Sequence, residues 1–456
     1  MSEQRRATGI GGRALLLAGL ALLAPIGVAE AQLGSTNPAP GARGSYAITN
    51  ARIVPVVGAE IARGTVVIGA DGKITAVGAN VPVPAGATVV DAKGGTVWPG
   101  MMDAGTGMGL SEISQGANAT VDNREVGSFN PNAQAIWGLN PHSAHIGVSR
   151  IVGVTHVVSS PTGGLISGQS AIVNLAGWTV PEMTVVPRAA VVLNLPSASF
   201  RGGGFGAFLA AQQGESSDQN RTREIQMDSI RAMFRDAVAY ANAHDAAARD
   251  RSIPRPKSDV VLAALVPAAR GAMPVIFNAD RASEIRDALR FAREMNLKPI
   301  IMGGRDAWMV TDELKAANAP VILTGIMALP SREDDPYDVN FAAPFKLHQA
   351  GVRFAIASGD DGAHVRDLPY TAGMAAAYGL PKDVALRSIT LAPAEIFGIA
   401  DRLGSIEAGK VANLVVTDGD VMEPRTKTIA LFVDGRPVPL SSRHEQLYEQ
   451  FKGRVK

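Results

Sequence analysis

The sequence predicts an α/β fold, a (β/α)8 TIM barrel beside a small β-sandwich domain built from the N- and C-terminal segments. Two observations carry this prediction. Strand-like and helical patterns alternate through the middle of the chain, and short β-rich runs occupy both ends. At 456 residues the chain is long for one hydrophobic core. A large domain and a smaller one are therefore expected.

The alternation is clearest between residues 274 and 357. Strand-like runs are separated by helical patterns, and in the first of these Ile285, Leu289 and Ala292 recur at helical spacing. The predicted strands are 274–277, 299–302, 320–323 and 352–357, with helices over 282–295 and 306–318. Eight such units need about 250 residues, which 99–404 supply. A doubly wound open sheet is the structural alternative, but no Gly-x-Gly-x-x-Gly fingerprint follows an early strand.

The two ends of the chain share a different texture. Short β-rich runs separated by turn residues such as Asp71-Gly72 read as hairpins near the N-terminus, and similar runs return near the C-terminus. We therefore predict one composite β-sandwich domain from both ends. The predicted boundaries are 32–44 for a flexible linker, 45–98 plus 405–440 for the β domain, 99–404 for the barrel and 441–456 for a C-terminal helix or tail.

Composition excludes several classes of function. The net charge is +1 and aromatic residues make up 5% of the chain, so neither a basic field nor a base-stacking surface points to nucleic acid. There are no cysteines, which excludes disulfides, thiolate zinc sites and cysteine nucleophiles. The expected partner is a small polar molecule.

The N-terminus has the order of a secretory signal. Arg5, Arg6 and Arg13 precede an apolar run over 14–28, and the small residues of 29–31 offer a cleavage site before Gln32. We predict a signal peptide over 1–31, cleavage near Ala31, a periplasmic or secreted location in a bacterium, and no membrane association afterwards. A membrane anchor is the alternative, but the apolar run is shorter than the ~20 residues that a spanning helix needs.

The segment 99–107 reads Pro-Gly-Met-Met-Asp-Ala-Gly-Thr-Gly. It resembles the first barrel strand of the amidohydrolase superfamily, whose pattern is Pro-Gly-x-x-Asp-x-His-x-His. The tail at 390–394 (Thr-Leu-Ala-Pro-Ala) and 404–414 (Gly-Ser-Ile-Glu-Ala-Gly-Lys-Val-Ala-Asn-Leu) is similar to the superfamily's closing pattern. Segments 153–155 and 164–169 look most like its imidazolonepropionase-like branch.

The resemblance implies one or two divalent metals in the barrel mouth, which activate a water that attacks an amide or ester carbonyl. Most ligand positions nevertheless lack a suitable side chain. The His-x-His pair is Gly105 and Gly107, the strand-five histidine is Asn278 and the strand-six histidine is Gly303. No lysine lies between Lys93 and Lys257 to bridge two metals. The strand-eight aspartate survives as Asp360 or its neighbour Asp361, but one carboxylate does not make a catalytic zinc site. We expect no cofactor, and a single zinc-like metal is the alternative.

Other side chains at the strand ends could bind a ligand. The candidates are Gln169, Asn278, Arg305, Asp360, Asp361 and His364. The arginines could instead pair at the rim, Arg305 with Asp306 and Arg366 with Asp367.

The remaining histidines and serines offer weaker hypotheses. His142 and His145 could share the face of a helix opened by Pro141, as a surface or packing pair. Ser358 with His364, or Ser167 with His156, could pair as nucleophile and base, but neither has the context of a nucleophile elbow.

These observations predict an exported amidohydrolase-like pseudoenzyme. It would bind a small polar ligand or partner an active homologue in a homo- or hetero-oligomer. The alternative is an active hydrolase that acts on non-peptide carbon–nitrogen bonds, with a site rebuilt around Asp360 as the catalytic residue.

Overall fold

The computed structural model describes residues 37–113, 118–196, 215–359 and 362–454. The predicted signal peptide lies outside them. Two sheets of eight strands each account for the named strands of these residues. The strands are β1 (Tyr46–Ile53), β2 (Ile61–Ile68), β3 (Ile74–Gly78), β4 (Thr88–Asp91), β5 (Thr96–Pro99), β6 (Met101–Thr106), β7 (Val154–Ser159), β8 (Ile166–Asn174), β9 (Thr184–Leu193), β10 (Val275–Ala279), β11 (Pro299–Gly303), β12 (Val321–Leu323), β13 (Phe354–Ile356), β14 (Leu414–Thr417), β15 (Thr428–Val433) and β16 (Arg436–Pro437).

The helices lie mainly in the second half of the described chain, and none in these residues is long and apolar enough to cross a membrane. They are α1 (Ala135–Gly138), α2 (Ala144–Arg150), α3 (Val180–Met183), α4 (Glu215–Arg249), α5 (Val260–Ala269), α6 (Ala282–Glu294), α7 (Thr311–Ala316), α8 (Val339–Gln349), α9 (Leu368–Ala377), α10 (Lys382–Ser388), α11 (Leu391–Ile396) and α12 (Arg443–Phe451).

The first sheet is assembled from both ends of the chain. Its strand order is β16-β15-β14-β5-β1-β2-β3, with β4 also paired to β1. The joint is the antiparallel pair of β5 and β14, in which Trp98 lies opposite Val415. Buried residues such as Ile48, Val66 and Phe432 form the core of this sheet. The strands were predictable because their apolar residues are bounded by turn residues.

The second sheet is the barrel, with strand order β13-β12-β11-β10-β9-β8-β7-β6. Its edges meet where the backbone N–H of Gly359 donates to the carbonyl of Gly105, at 3.1 Å. Small and branched side chains such as Ala190, Ile276 and Ile322 fill the interior. The predicted fold class is confirmed.

The barrel does not consist of eight equal β/α units, so the expectation of a regular alternation of parallel strands and helices is wrong. β8 pairs antiparallel with both β7 and β9. Residues 160–165 join β7 to β8, and a parallel connection would need a dozen or more residues, so this segment can only form a hairpin. The first residues of β8 therefore lie beside the last residues of its neighbours, with Ile166 opposite Leu193.

The helix predicted over 306–318 is interrupted. A single 3-10 turn, Ala307–Met309, is followed by Val310, whose backbone leaves the helical region at φ −129° and ψ 31°, and α7 begins at Thr311. By contrast, α6 matches its prediction, and its buried residues Ile285, Ala288 and Leu289 face the core.

The prediction that His142 and His145 share a helix face is wrong. α2 begins at Ala144, because the hydroxyl of Ser143 accepts the backbone N–H of His145 and caps the helix there. His142 precedes the helix, and its ring packs edge-on against Trp178 at 5.2 Å between centroids. The Nε2 of His145 is 3.0 Å from the carbonyl of Glu112, so the two rings have separate partners.

The described part of the expected linker packs against the body of the protein. Asn37 is buried and its Nδ2 donates to the carbonyl of Ser143 at 2.7 Å. The backbone N–H of Gly41 donates to the carbonyl of Pro437 at 2.7 Å, and Arg436 Nε donates to the carbonyl of Gly41 at 2.8 Å. Residues 37–44 are therefore held by several hydrogen bonds, which a flexible linker would not make.

Candidate functional site at the barrel mouth

A cavity of about 320 Å³ lies at the ends of the barrel strands. The carboxyl ends of the parallel strands converge there, which is where TIM-barrel proteins place their functional groups. Its lining combines backbone at four glycines with polar side chains, and its apolar part includes Met302, Val192 and Ile276. The polar side chains include Thr106, Ser160, Thr162, Asn194, Asn278, Asp280 and Thr324.

Two asparagines form a fixed pair at the ends of β9 and β10. Asn278 Nδ2 donates to Asn194 Oδ1 at 2.7 Å. Asn194 Nδ2 in turn donates to the carbonyl of Gly164 and to the hydroxyl of Ser167, both at 2.9 Å. The network assigns the orientation of both amides. Sequence reasoning chose Asn278 and missed Asn194, although Asn194 directly follows a strand and so carries the same signal.

Asp103 lies beneath the mouth and is fully buried. Its Oδ1 accepts the backbone N–H of Gly105 at 3.0 Å, and its Oδ2 accepts that of Ser358 at 3.1 Å. The carboxyl group thus links β6 to the residues that follow β13. Burial raises the pKa of Asp103 to about 7, against the opposing effect of the hydrogen bonds from Ser358 and Gly105.

Met302 fills the space beside Gly105. A Cβ added to Gly105 would lie 2.5 Å from Met302 Cε and 2.9 Å from its Sδ. A Cβ on Gly303 would lie 2.5 Å from Asp280 Oδ1, and Gly303 has a φ of 103°, which side-chain-bearing residues rarely adopt. Both glycine positions are therefore closed to a larger residue unless a neighbour moves.

The predicted site residues do not all gather at this mouth. Asn278 lines it, and Arg305 lines a second cavity beside it. Asp360 and Asp361 lie outside the described residues. His364 is exposed, and its Nδ1 is 3.2 Å from Asp367 Oδ2.

Gln169 lies on the other side of the barrel wall. Its side chain is fully buried, and its Nε2 donates to the carbonyls of Pro131 at 2.9 Å and Ala264 at 3.1 Å. It pairs with Val191 of β9, whose side chain faces the outer core. Gln169 therefore joins the barrel to the layer outside it and does not line the mouth cavity.

Of the two expected rim pairs, Arg305 with Asp306 does not form, whereas Arg366 with Asp367 does. Arg305 Nε lies 3.9 Å from Asp280 Oδ1, while Asp306 pairs with Arg332. Arg366 does approach Asp367, with its Nε 3.8 Å from Oδ1.

His156 is buried, and both of its ring nitrogens have partners in Thr155 and Asn413. The hydroxyl of Ser167 accepts a hydrogen bond from Asn194 Nδ2 instead, so the structure does not pair Ser167 with His156.

Several known proteins are similar to this chain in sequence or in structure. The model of the amidohydrolase family matches residues 337–438. Amidohydrolase tasK of Hapsidospora irregularis is 26% identical over 403 residues, which cover 82% of this chain and 40% of that protein. The crystal structure of an amidohydrolase from Thermotoga maritima is 25% identical, covers 86% of this chain and 99% of its own, and superposes with a TM-score of 0.75. The chain belongs to the amidohydrolase superfamily.

More distant solved structures share the fold alone. A prolidase complexed with N-methylphosphonate-L-proline is 18% identical, with 86% of this chain and 99% of that chain covered and a TM-score of 0.53. Molinate hydrolase is 15% identical, with 88% and 95% covered and a TM-score of 0.53. This chain spans about two fifths of the length of amidohydrolase tasK, at 40%.

The described residues do not fit the metal centre that the superfamily resemblance implies. Gly105, Gly107 and Gly303 have no donor atoms, and the amide of Asn278 is bonded to Asn194. Among residues 37–113, 118–196, 215–359 and 362–454, no three histidine, aspartate or glutamate side chains converge closely enough to hold a metal ion. A catalytic zinc normally takes three protein ligands.

Proposed function

We propose that this amidohydrolase-superfamily protein is a pseudoenzyme whose barrel mouth binds a small polar ligand. The single observation that carries the proposal is the packing of Met302 against Gly105. In the superfamily pattern, Gly105 stands where the first metal-binding histidine would be, and the thioether side chain occupies the adjoining space. A polarizable apolar group fills gaps well but is a poor ligand for zinc, which prefers imidazole and carboxylate here.

Hydrogen-bonding groups around the cavity support the binding part of the proposal. Asn194 and Asn278 present side-chain amides that their mutual hydrogen bond holds in place. Thr106, the last residue of β6, and Thr324, which follows β12, add hydroxyl groups to the lining. A concave, partly apolar site with a few fixed polar groups is the usual form of a small-molecule site. An amide-containing ligand matches this lining, because it both donates and accepts hydrogen bonds.

Metal analysis combined with thermal unfolding tests the proposal. We expect the purified protein to contain far less than one zinc, manganese or iron per chain, and its melting temperature to stay unchanged after chelation. Succinamide, a neutral diamide, should raise the melting temperature, and the Asn278→Ala variant should lose most of that shift. The matched control is Asn318→Ala, which lies before β12 at the far end of the barrel.

The alternative is an active hydrolase with a site rebuilt around Asp360, acting on non-peptide carbon–nitrogen bonds. Stoichiometric metal that a chelator removes, together with an amidase activity lost in Asp360→Asn, would establish that alternative and end the pseudoenzyme proposal. We further propose export through the N-terminal signal and association with a second copy or an active homologue. Mass spectrometry of the mature N-terminus and sedimentation of the purified protein test these two points.

A further inference from the structure

We propose that a second cavity, beside the barrel mouth, is an anion subsite that receives a carboxylate or phosphate group of the ligand held in the mouth. This inference rests on the proposed function, because it names the chemical class of that ligand. The cavity has a volume of about 830 Å³, and four arginines line it: Arg281, Arg286, Arg305 and Arg332. Guanidinium groups bind carboxylate and phosphate oxygens in a bidentate geometry.

The carboxylates around this cavity already have partners. Asp306 pairs with Arg332 and also accepts the backbone N–H of Ala282 at 3.2 Å. Glu284 accepts the backbone N–H groups of Asp280 and Arg281, each at 3.1 Å. Glu284 thus occupies the start of α6 with its own negative charge. An anion in this cavity would therefore be bound by the arginine side chains and not by the helix end.

Two of the four arginines remain available to a ligand. Within the described chain, the guanidinium of Arg281 forms no ion pair. Arg305 Nη1 donates to Ser331 Oγ at 3.2 Å, but its buried Nε has no hydrogen-bond partner among the described residues. The 3.9 Å between that Nε and Asp280 Oδ1 is too long for a hydrogen bond. A buried donor without a partner is unfavourable, so an anion that approaches Arg305 gains both charge and a hydrogen bond.

The two cavities adjoin, since Asp280 lines both of them. A molecule with its anionic group at Arg281 and Arg305 would pass Asp280 and reach Asn278 in the mouth. The carboxylate of Asp280 would repel a second anionic group at that point. The geometry therefore selects a ligand that is anionic at one end and neutral, with amide-like hydrogen bonding, at the other.

Paired probes test the subsite by isothermal titration calorimetry. Succinamide is neutral, and succinamate replaces one of its amides with a carboxylate. The wild-type protein should bind succinamate about tenfold more tightly than succinamide, a difference of about 1.4 kcal/mol. In a variant carrying Arg281→Gln and Arg305→Gln, that preference should vanish while succinamide binding stays unchanged. Inorganic phosphate that competes with succinamate would assign the subsite to phosphate groups as well, and lack of competition would assign it to carboxylates.

The matched control is Arg290→Gln, which removes one positive charge from the exposed face of the same helix α6. It should keep the full preference for succinamate. Arg305→Lys keeps the charge but not the planar fork and should retain only part of the preference. The subsite is refuted if the wild type shows no preference, or if Arg290→Gln weakens succinamate as much as the double variant does. A preference that survives in the double variant, with succinamide binding lost in Asn278→Ala, would refute the subsite and leave the proposed function standing.

Discussion

Asn413 Nδ2 donates a hydrogen bond to His156 Nε2 at 3.0 Å. This contact joins the first sheet, which is built from both ends of the chain, to the barrel. The other ring nitrogen of His156 lies 2.8 Å from the hydroxyl of Thr155, which donates to the carbonyl of Met101 at 3.2 Å. All three contacts are satisfied when the ring is neutral and carries its proton on Nδ1. Burial, with a smaller effect from the charge of Arg402, lowers the pKa of His156 to about 3.

The Asn413→Asp substitution should destabilise the protein at neutral pH. A carboxylate can accept but not donate, so His156 Nε2 would face a second acceptor until the ring gains a proton. We expect a loss of about 1–3 kcal/mol in the free energy of unfolding at neutral pH, measured by urea denaturation. The loss should shrink as the pH falls, because a proton bound by the new carboxylate or by His156 Nε2 would restore a hydrogen bond between them. Unchanged stability at neutral pH would contradict the assigned hydrogen-bond network.

Two buried groups should give opposite pH dependences of stability. His156 has a folded pKa of about 3 against its ordinary 6.5, so its contribution is complete above pH 6.5 and is lost as the pH falls toward 3. Asp103 has a folded pKa of about 7 against its ordinary 3.8, so its contribution is present below pH 3.8 and is lost as the pH rises toward 7. That loss is on the order of 4 kcal/mol, at about 1.4 kcal/mol for each pKa unit.

The Asp103→Asn variant separates these two effects. The substitution removes the contribution of Asp103, which decreases as the pH rises, and leaves that of His156, which increases. The free energy of unfolding of the variant should therefore rise more steeply than that of the wild type between pH 3.8 and 6.5. Above pH 7, the variant should have a larger free energy of unfolding than it has at low pH. Urea denaturation across this range measures both slopes. Parallel curves for the two proteins would mean that Asp103 titrates near its ordinary pKa.

Restoring a histidine at Gly105 should not restore a metal site. Gly105→His would drive its Cβ into Met302, where the present distance to Cε would be 2.5 Å, and overpacking of this kind costs about 1–3 kcal/mol. Adding Met302→Ala should recover most of the lost stability by making room. Neither protein should bind zinc stoichiometrically, because Gly107 and Gly303 still offer no donors. Melting temperatures check the predicted loss and recovery of stability, and elemental analysis checks the predicted absence of zinc. One bound zinc per chain would contradict the proposal that the barrel mouth cannot hold a metal.

Gln169→Met should lower stability without changing ligand affinity. The substitution keeps the length of the side chain but leaves the carbonyls of Pro131 and Ala264 without their donor. We expect a loss of about 2 kcal/mol in the free energy of unfolding. Gln446→Met, on the exposed α12, is the control and should have little effect. If succinamide binding to Gln169→Met fell while folding stayed intact, Gln169 would belong to the site after all.

The sequence was sufficient to predict the fold class. Hydrophobic periodicity located β10, β11 and α6 closely, because each presents a regular apolar face to the core. It could not give the direction of β8, since alternation and spacing are the same for a strand that runs either way. The error at Gln169 has a different cause, because the alternation of side chains along β8 places Gln169 on the outer face of the barrel wall. Nor could the sequence show that Met302 packs on Gly105, which depends on the placement of two distant strands.

The reversed strand also divides the barrel into unlike halves. Strands β6 to β9 span 101–193 and contain the hairpins, whereas β10 to β13 span 275–356 and advance by parallel crossovers. A symmetric barrel engineered by gene duplication could therefore start from the later half, whose strands all point the same way. Duplicating the earlier half would place two reversed strands in one barrel. The mouth of that barrel would then carry two fewer loops than the mouth of an all-parallel barrel.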